Sequence, residues 1–314
     1  MEPMVEAQGL AKFYGEVAAL NGLDLSIGRG GPVGLVGPNG AGKTTLFSLL
    51  GGFLKPSAGV LRMLGRTPGE AILRGRFAIL PQDADFKKGV AIGRQLAFFA
   101  RLQGMAAAKA QTEAERVLSL LGIADWARHL PEQLSHGQLK RTAIAQALLG
   151  EPELVLLDEP TAGLDPVAAR EVRRMILLQS TERTFIVSSH NLDEIRDLCR
   201  EVVLLDQGKL VRHCRIDELI ETRHYLTITL SVPPTDTIAT LLRGLEGIRG
   251  IEISPNGGHR LLIQFDAADA DQLQIRVMEA LASAGISIIH FSRGQNLSDR
   301  VADLVLPAHP ELPR

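Results

Sequence analysis

A glycine-rich segment, GPNGAGKTT at residues 37–45, constrains the fold of this chain more than any other feature. It follows the apolar run VGLV and precedes TLFSLLGG, in which apolar residues recur at helical spacing. The pattern G-x-x-x-x-G-K-T between a strand and a helix is typical of a P-loop, whose backbone N–H groups bind phosphate oxygens. The segment therefore predicts an α/β fold of the P-loop class that binds the phosphates of a nucleotide together with Mg²⁺.

Each residue type in this loop has a physical reason to be there. Gly37, Gly40 and Gly42 allow the backbone to bend until several N–H groups point at a phosphate. Lys43 brings a flexible cation to the terminal phosphates, and the Thr44 hydroxyl can bind Mg²⁺. The predicted phosphate-binding residues are Gly37, Asn39, Gly40, Ala41, Gly42, Lys43, Thr44 and Thr45.

A second apolar run, in ELVLLDEP at residues 153–160, ends in two acidic residues. A buried strand here brings Asp158 and Glu159 to its carboxyl end, where ligands bind in open α/β sheets. An acidic pair at a strand end is commonly no more than solvated surface. Downstream of a P-loop, however, the pattern predicts that Asp158 binds Mg²⁺ through water and that Glu159 polarises an attacking water.

The rest of the first two thirds of the chain completes this α/β pattern. Apolar runs at 77–80, 185–189 and 202–205 predict further strands that are buried on both faces of a parallel sheet. Residues 5–27 alternate between apolar and polar and contain glycine turns, which predicts an antiparallel edge layer. Residues 90–150 contain three segments of helical spacing, each ending at glycine, which predicts a helical subdomain inserted between two strands.

A second domain is predicted from about residue 223 to residue 314, following a nucleotide-binding domain at 1–222. Its pattern is strand, helix, strand, a Pro-Asn-Gly-Gly turn at 255–258, strand, helix and strand. The turn between two alternating segments is a hairpin signal. The β-α-β-β-α-β order predicts a small α+β domain of the ferredoxin-like type.

The composition limits the classes of partner and the cellular compartment that are expected for this chain. The net charge of −2 creates no global basic field, which predicts that the chain has no nucleic-acid partner. Only two cysteines occur, so no disulfide framework is indicated and a reducing cytosol is the expected compartment. The N-terminus lacks the pattern of a signal peptide, and no apolar run approaches the roughly 20 residues that cross a bilayer.

Five more short motifs resemble those of the nucleotide-binding subunit of ATP-binding cassette (ABC) transporters. Together with the P-loop, they occur in the order that is typical of that family. LSHGQ at 134–138 resembles the family signature LSGGQ, and AGLD at 162–165 resembles the D-loop. SSH, ending at His190, resembles the switch histidine. Gln82 in ILPQD is similar to the Q-loop glutamine, and Tyr14 in KFYGEVAAL is similar to the aromatic residue that stacks on adenine. The resemblance covers nearly all of residues 5–215.

The resemblance implies that the nucleotide is ATP, bound with Mg²⁺, and it implies roles that the residue patterns alone do not. Tyr14 would stack on adenine, Gln82 would help to hold Mg²⁺ and nucleotide, and His190 would contact the γ-phosphate beside the catalytic Glu159. The signature would face the nucleotide held by a second ATPase subunit, most simply a second copy of this chain. These partner-facing residues are Ser135, Gly137, Gln138 and, in the D-loop, Asp165. A separate transmembrane permease is implied, with the chain peripheral on the cytoplasmic face of the membrane.

Two questions stay open at this level. The first question concerns His136, which replaces the first glycine of the signature. A histidine here is strained if the position needs φ > 0, and it is harmless if only its backbone N–H is used. The second question is the direction of transport. The segment GQNLSDRVADLVL at 294–306 resembles the closing helix of multidrug-type exporter subunits and favours export. An importer with a regulatory C-terminal domain, or a non-transport ABC ATPase, remains an alternative.

Overall fold

The computed structural model describes residues 2–219, 225–253, 259–266, 270–293 and 301. The chain divides into two compact units between Cys214 and Arg215, which is earlier than the boundary near 222 that the sequence suggested. The last strand of the large sheet ends at Arg215, next to this division. The assignment of two domains stays a prediction. The expected turn at 255–258 and, apart from Val301, the expected helix at 294–306 lie outside the described residues.

The first unit contains the elements of an α/β sheet with a helical insertion. In chain order they are β1 (Val5–Tyr14), β2 (Val17–Ile27), β3 (Val33–Val36), α1 (Lys43–Leu50), β4 (Ala58–Met63), β5 (Phe77–Leu80), α2 (Ile92–Leu102), α3 (Ala107–Leu120), α4 (His136–Ala147), β6 (Leu154–Asp158), α5 (Pro166–Gln179), β7 (Thr184–Ser188), α6 (Leu192–Leu198), β8 (Glu201–Asp206) and β9 (Lys209–Arg215). Short 3₁₀ turns occur at Ala71–Leu73, Ala124–Arg128 and Pro131–Gln133.

The main sheet has six strands in the order β5-β6-β7-β3-β8-β9. The pairs β5–β6, β6–β7, β7–β3 and β3–β8 are parallel. Leu154–Leu157 of β6 are completely buried, as expected for a strand that is covered on both faces. The predicted parallel α/β sheet is therefore confirmed, and the carboxyl ends of five neighbouring strands lie along one edge.

The predicted antiparallel edge layer is also present, as a three-stranded sheet in the order β2-β1-β4. Helix α1 lies in the core that this layer shares with the main sheet, and buries Leu46, Phe47, Leu49 and Leu50. Burial of a leucine or phenylalanine side chain contributes roughly 1.5–3 kcal/mol. Because α1 is held by apolar contacts on several sides, the loop that precedes it has a fixed position.

The helical subdomain consists of α2, α3 and α4, in agreement with the prediction for residues 90–150. Helices α2 and α3 contact each other. Ala100, Ala110 and Ala114 on these two helices are completely buried, and their small side chains permit a close helix–helix approach. The guanidinium of Arg141 on α4 lies 4.5 Å from the centre of the Trp126 ring, which ties the preceding 3₁₀ turn to this helix.

The second unit has the ferredoxin-like strand order. Its elements are α7 (Ile216–Leu219), β10 (Tyr225–Leu230), α8 (Asp236–Arg243), β11 (Ile248–Ile253), β12 (Arg260–Phe265), α9 (Ala270–Ser283) and β13 (Ile288–Arg293). The strands pair antiparallel in the order β11-β12-β10-β13. Leu226, Ile228 and Leu230 alternate along β10 and face a core that also contains residues of α8 and α9. This alternation is the pattern expected of a sheet with helices on one face.

An ionic contact at the start of β6 leads to a testable pH dependence. Glu153 accepts hydrogen bonds from Arg29 at 2.6 Å and from Arg76 at 2.8 Å. The bond from Arg29 holds the pKa of Glu153 below its ordinary value, opposed by partial burial and assisted by Arg76. A depressed carboxyl pKa stabilises the fold above the unfolded-state pKa of about 4.3, and that contribution is lost as the pH falls through the lower folded-state pKa.

We expect Glu153→Gln to lower the free energy of unfolding by about 1 kcal/mol at neutral pH, a modest loss because solvent screens surface pairs. The difference from the parent should disappear as the pH falls below about 4. Urea unfolding across this range measures both effects. A difference that stays constant with pH would show that the charge of Glu153 is not the source of the stability.

Candidate functional site

Four of the predicted segments lie along the carboxyl edge of the parallel sheet. Gln82 follows β5, Asp158 and Glu159 lie at the end of β6, His190 follows β7 and the P-loop follows β3. These strands are consecutive neighbours in the sheet. Segments far apart in sequence therefore meet at the edge where α/β sheets bind ligands.

The P-loop backbone can be built only with glycine at specific positions. Gly40 and Gly42 have φ of +83° and +103°, in the left-handed region that other residues rarely adopt. A Cβ atom added to Gly42 would lie 2.6 Å from the carbonyl oxygen of Ala19, and one added to Gly37 would lie 2.2 Å from that of Leu205. Helix α1 begins without a side-chain cap, so its first N–H groups are available to bind an anion.

The Lys43 ammonium lies inside this loop. Its Nζ donates hydrogen bonds to the carbonyl oxygens of Gly37, at 2.6 Å, and Pro38, at 3.0 Å. Burial lowers the pKa of Lys43, and the charges of Glu159 and Asp158 oppose that shift. The cation is thus held between the loop carbonyls and the acidic end of β6, where terminal phosphates and a metal ion would lie.

The other P-loop residues divide between anchoring and ligand-facing positions. Ala41 is buried, and its carbonyl oxygen accepts a hydrogen bond of 3.1 Å from the N–H of Gly208. Asn39 and Thr44 are exposed, and Thr45 is half-buried. The Thr44 hydroxyl at the start of α1 is therefore accessible to a ligand.

The two predicted catalytic side chains are in contact. Nδ1 of His190 lies 3.0 Å from Oε1 of Glu159. The backbone of Glu159 has φ +46°, an unusual value for a residue other than glycine, and such strain clusters at functional sites. The Glu159 N–H donates to the carbonyl oxygen and to Oγ of Ser188, both at 3.1 Å. The Oγ of Ser188 in turn donates to Oδ1 of Asp158. Ser188 was not predicted as a site residue, although it is the first residue of the SSH motif that ends at His190.

The donor set suits a magnesium ion. Thr44, Gln82 and Asp158 offer hydroxyl, amide and carboxylate oxygens, and hard cations prefer oxygen ligands. Within the described residues, no group of three or more His, Cys, Asp and Glu side chains could hold a metal by itself. A site with a single carboxylate is typical of Mg²⁺ that also binds substrate phosphates.

A residue that the sequence did not single out fixes the Q-loop. Lys140 on α4 is 7% exposed and donates a hydrogen bond from Nζ to the backbone oxygen of Gln82. Burial lowers the pKa of Lys140, opposed by the charges of Asp83, Asp158 and Glu159. The helical subdomain is thereby tied to the end of β5, while the Gln82 side chain stays exposed.

The signature motif forms the beginning of α4. The Oγ of Ser135 accepts a hydrogen bond from the N–H of Gln138, and Oε1 of Gln138 accepts one from the N–H of Ser135, so the two residues form a capping box. His136 is the first helical residue and has no positive φ, so this histidine causes no backbone strain. The ring of His136 packs on the D-loop. It lies so close to Gly163 that a Cβ atom added to this glycine would be 3.3 Å from Cε1 of the histidine.

The signature and the D-loop line one cleft of about 460 Å³, which no P-loop residue lines. Ser135, Gly137 and Gln138 lie on one side, and Asp165 lies on the other. The Oδ1 of Asp165 caps α5 by accepting hydrogen bonds from the N–H groups of Val167 and Ala168, at 2.9 and 3.0 Å. The chain therefore presents two separate candidate half-sites.

Tyr14 lies in the antiparallel layer, at the end of β1. Its side chain is 48% exposed, and Nζ of Lys12 lies 5.5 Å from the ring centre. Strand β2, paired with β1, contacts the P-loop through Ala19. The ring is thus accessible for stacking.

Comparisons with known proteins identify the family. A family profile described as ABC transporter matches residues 20–162. The Nod factor export ATP-binding protein I of Ralstonia nicotianae is 34% identical over 221 residues, 69% of each chain. The chain belongs to the ABC transporter ATP-binding family. Members of this family are ATPases coupled to transport, and they work with transmembrane permeases and a second ATPase subunit.

Two further relatives differ in the role that their names state. The daunorubicin/doxorubicin resistance ATP-binding protein DrrA of Streptomyces peucetius is 29% identical and aligns with 98% of this ABC ATPase and 93% of its own length. The methionine import ATP-binding protein MetN of Brucella abortus is 33% identical over 66% of this chain and 58% of its own. The family is therefore shared by exporters and importers.

Solved structures of ATP-binding cassettes superpose on the ABC ATPase. CbiO1 from Clostridium perfringens, part of the cbiONQ transporter complex, has a TM-score of 0.64 at 28% identity, with 70% of this chain and 91% of that chain covered. A dimeric post-hydrolysis cassette bound to ADP and Pi has a TM-score of 0.60 at 25% identity, with coverage of 68% and 99%. Of the helices that the structure describes here, none is long and apolar enough to cross a bilayer.

Proposed function

We propose that this ABC ATPase powers export through a separate transmembrane permease, from the cytoplasmic face of the membrane. The observation that supports export rather than import is the length of the alignment with DrrA. That alignment includes nearly the whole chain, whereas the alignment to the methionine import protein covers 66%. The relative that shares both units is a drug-resistance protein.

In this proposal the nucleotide is bound at the sheet edge by three sets of groups, which bind its phosphates, its adenine ring and its Mg²⁺. The N–H groups of residues 37–45 and the Lys43 ammonium bind the phosphates, and Tyr14 stacks on adenine. Thr44, Gln82 and Asp158 hold Mg²⁺, which when bound neutralises phosphate charge. The accessible Thr44 hydroxyl and the exposed Gln82 side chain support this assignment.

Hydrolysis is assigned to the Glu159–His190 pair. The Glu159 carboxylate orients the attacking water, and His190 contacts the γ-phosphate. Their 3.0 Å contact supports this assignment, because it brings a proton acceptor next to a group that can hydrogen-bond to phosphate. The hydrogen bonds from Glu159 to Ser188 hold the strained backbone that aims the carboxylate.

Two copies are proposed to close head to tail around two nucleotides. The signature cleft is lined by Ser135 and Asp165 but by no P-loop residue, so a nucleotide held by one chain needs the cleft of another. The start of α4 offers N–H groups and a positive helix end to the γ-phosphate. Loss of that phosphate on hydrolysis removes the bridging charge and reopens the pair.

The permease should contact the helical subdomain. Leu102 on α2 is 66% exposed and lies one helical turn from the exposed Phe98, so the two side chains form an apolar surface. We expect a tagged protein to co-purify with a polytopic membrane protein from detergent extracts, without a solute-binding protein. Mass spectrometry identifies the partners, and Leu102→Ser should reduce their recovery.

A matched control is available on a different helix. Leu178 on α5 is 63% exposed, and Leu178→Ser should leave recovery of the permease unchanged. Recovery of a solute-binding protein together with the permease would contradict export and favour an importer. Recovery of ribosomal or DNA-bound proteins alone would contradict the permease partnership.

A further inference from the structure

Glu194 is a buried acidic residue on α6 that none of the sequence motifs accounts for. It is only 2% exposed, whereas glutamate side chains are almost never fully buried unless they are paired. Burial of a carboxylate is costly unless donors satisfy its oxygens. The groups that satisfy Glu194 therefore indicate what the residue does.

Both oxygens of Glu194 accept hydrogen bonds from hydroxyl groups. Thr161 Oγ1 donates to Oε1 at 2.6 Å, and Ser189 Oγ donates to Oε2 at 2.6 Å. Hydrogen bonds to an ionised acceptor are shorter and stronger than neutral ones. The Asn191 side chain caps α6 by accepting from the Glu194 N–H at 3.2 Å, which fixes the backbone that carries the carboxylate.

The two hydroxyl donors belong to different catalytic segments. Thr161 lies in the loop between Glu159 and the D-loop, and Ser189 immediately precedes His190. The Glu194 carboxylate thus joins the segment after β6 to the segment after β7. These are the segments whose side chains meet in the 3.0 Å contact between Glu159 and His190.

We propose that Glu194 is a positioning residue that holds the Glu159 and His190 segments at the separation needed for hydrolysis. The inference rests on the proposed catalytic roles of those two residues. Glu194 acts only through Thr161 and Ser189. Loss of this bridge lets the two segments shift, and small displacements of reacting groups reduce rates strongly.

Glu194→Gln is the sharpest test because it preserves shape and removes one acceptor. The new amide group is a donor, so it faces the hydroxyl hydrogen of Thr161 or Ser189. We expect kcat for ATP hydrolysis to fall about tenfold with KM for ATP within about twofold. Thr161→Val, which removes one hydroxyl at nearly constant volume, should lower kcat by about threefold.

A double-mutant cycle separates positioning from general support of the fold. If Glu194 acts through the pair, Glu194→Gln should have almost no further effect on the residual rate of His190→Ala. Equal fold-losses in the two backgrounds would overturn the proposal, as would an unchanged kcat in Glu194→Gln. Thr161→Val provides the same cycle if Glu194→Gln does not fold.

Two controls keep the possible failures distinct. Glu153→Gln perturbs the opposite end of β6 and should lower stability while leaving kcat unchanged. Glu159→Gln tests the proposed catalytic role itself. If Glu159→Gln hydrolyses ATP at the parental rate, the proposed function of the pair fails. If Glu159→Gln is inactive while Glu194→Gln retains full activity, only the positioning role fails.

Discussion

Replacement of Glu159 by glutamine is expected to lower the rate of ATP hydrolysis at least about 100-fold while leaving ATP binding intact. The amide cannot accept a proton from the attacking water, yet it keeps the size of the side chain and can still hydrogen-bond to His190, which lies 3.0 Å away. Because the γ-phosphate persists, the protein should accumulate as an ATP-bound pair of chains. Phosphate release and the molar mass in the presence of ATP and Mg²⁺ measure the two effects.

A second substitution in the same background tests whether the signature closes the pair. Ser135 is the N-cap of α4, and aspartate is an equally good cap, so Ser135→Asp should preserve the helix. Its carboxylate would repel a γ-phosphate presented by another chain. We therefore expect Glu159→Gln with Ser135→Asp to stay monomeric in ATP. Pair formation by this double variant would contradict contact in trans.

Replacement of Lys43 by alanine is expected to weaken ATP binding about 100-fold or more, which makes it the second large effect. The ammonium donates to the carbonyl oxygens of Gly37 and Pro38 and lies in the field of Asp158 and Glu159. Its removal takes the lysine cation away from the phosphates and leaves them closer to the repulsive charges of those carboxylates. Titration with a fluorescent ATP analogue measures the dissociation constant.

The control for this loss is a lysine that lies away from the site. Lys109 on α3 is exposed, and Lys109→Ala changes the net charge by the same amount without removing a phosphate ligand. It should bind ATP with parental affinity. Binding by Lys43→Ala that matches binding by Lys109→Ala would exclude Lys43 from the nucleotide site.

Much of the architecture follows from short-range patterns. The P-loop was evident because glycine spacing, the lysine and the flanking strand and helix are contiguous in sequence. The strand order of the C-terminal unit followed from a β-α-β-β-α-β periodicity with few topological solutions. Strands β4 and β9 were not predicted, since AGVLRM and KLVRHCR show no clear apolar alternation.

The residues that support the site were missed because their signal is not local. Lys140 reaches the backbone of Gln82 across 58 positions of sequence, and Glu194 reaches Thr161 across 33. Each resembles an ordinary charged residue on an amphipathic helix. His136 illustrates the same limit, because only the helical backbone of α4 decided between strain and a harmless replacement.

The amino-acid sequence by itself thus determined the fold class, the family and the chemical groups that each motif carries. Motifs report which chemical groups a segment carries, and periodicity reports which face of a strand or helix is buried. The tertiary structure alone decided that Glu159 contacts His190, that Lys140 binds the backbone of Gln82 and that Glu194 joins the segments after β6 and β7. Contacts of this kind depend on the register and packing of elements remote in sequence, which no local pattern encodes.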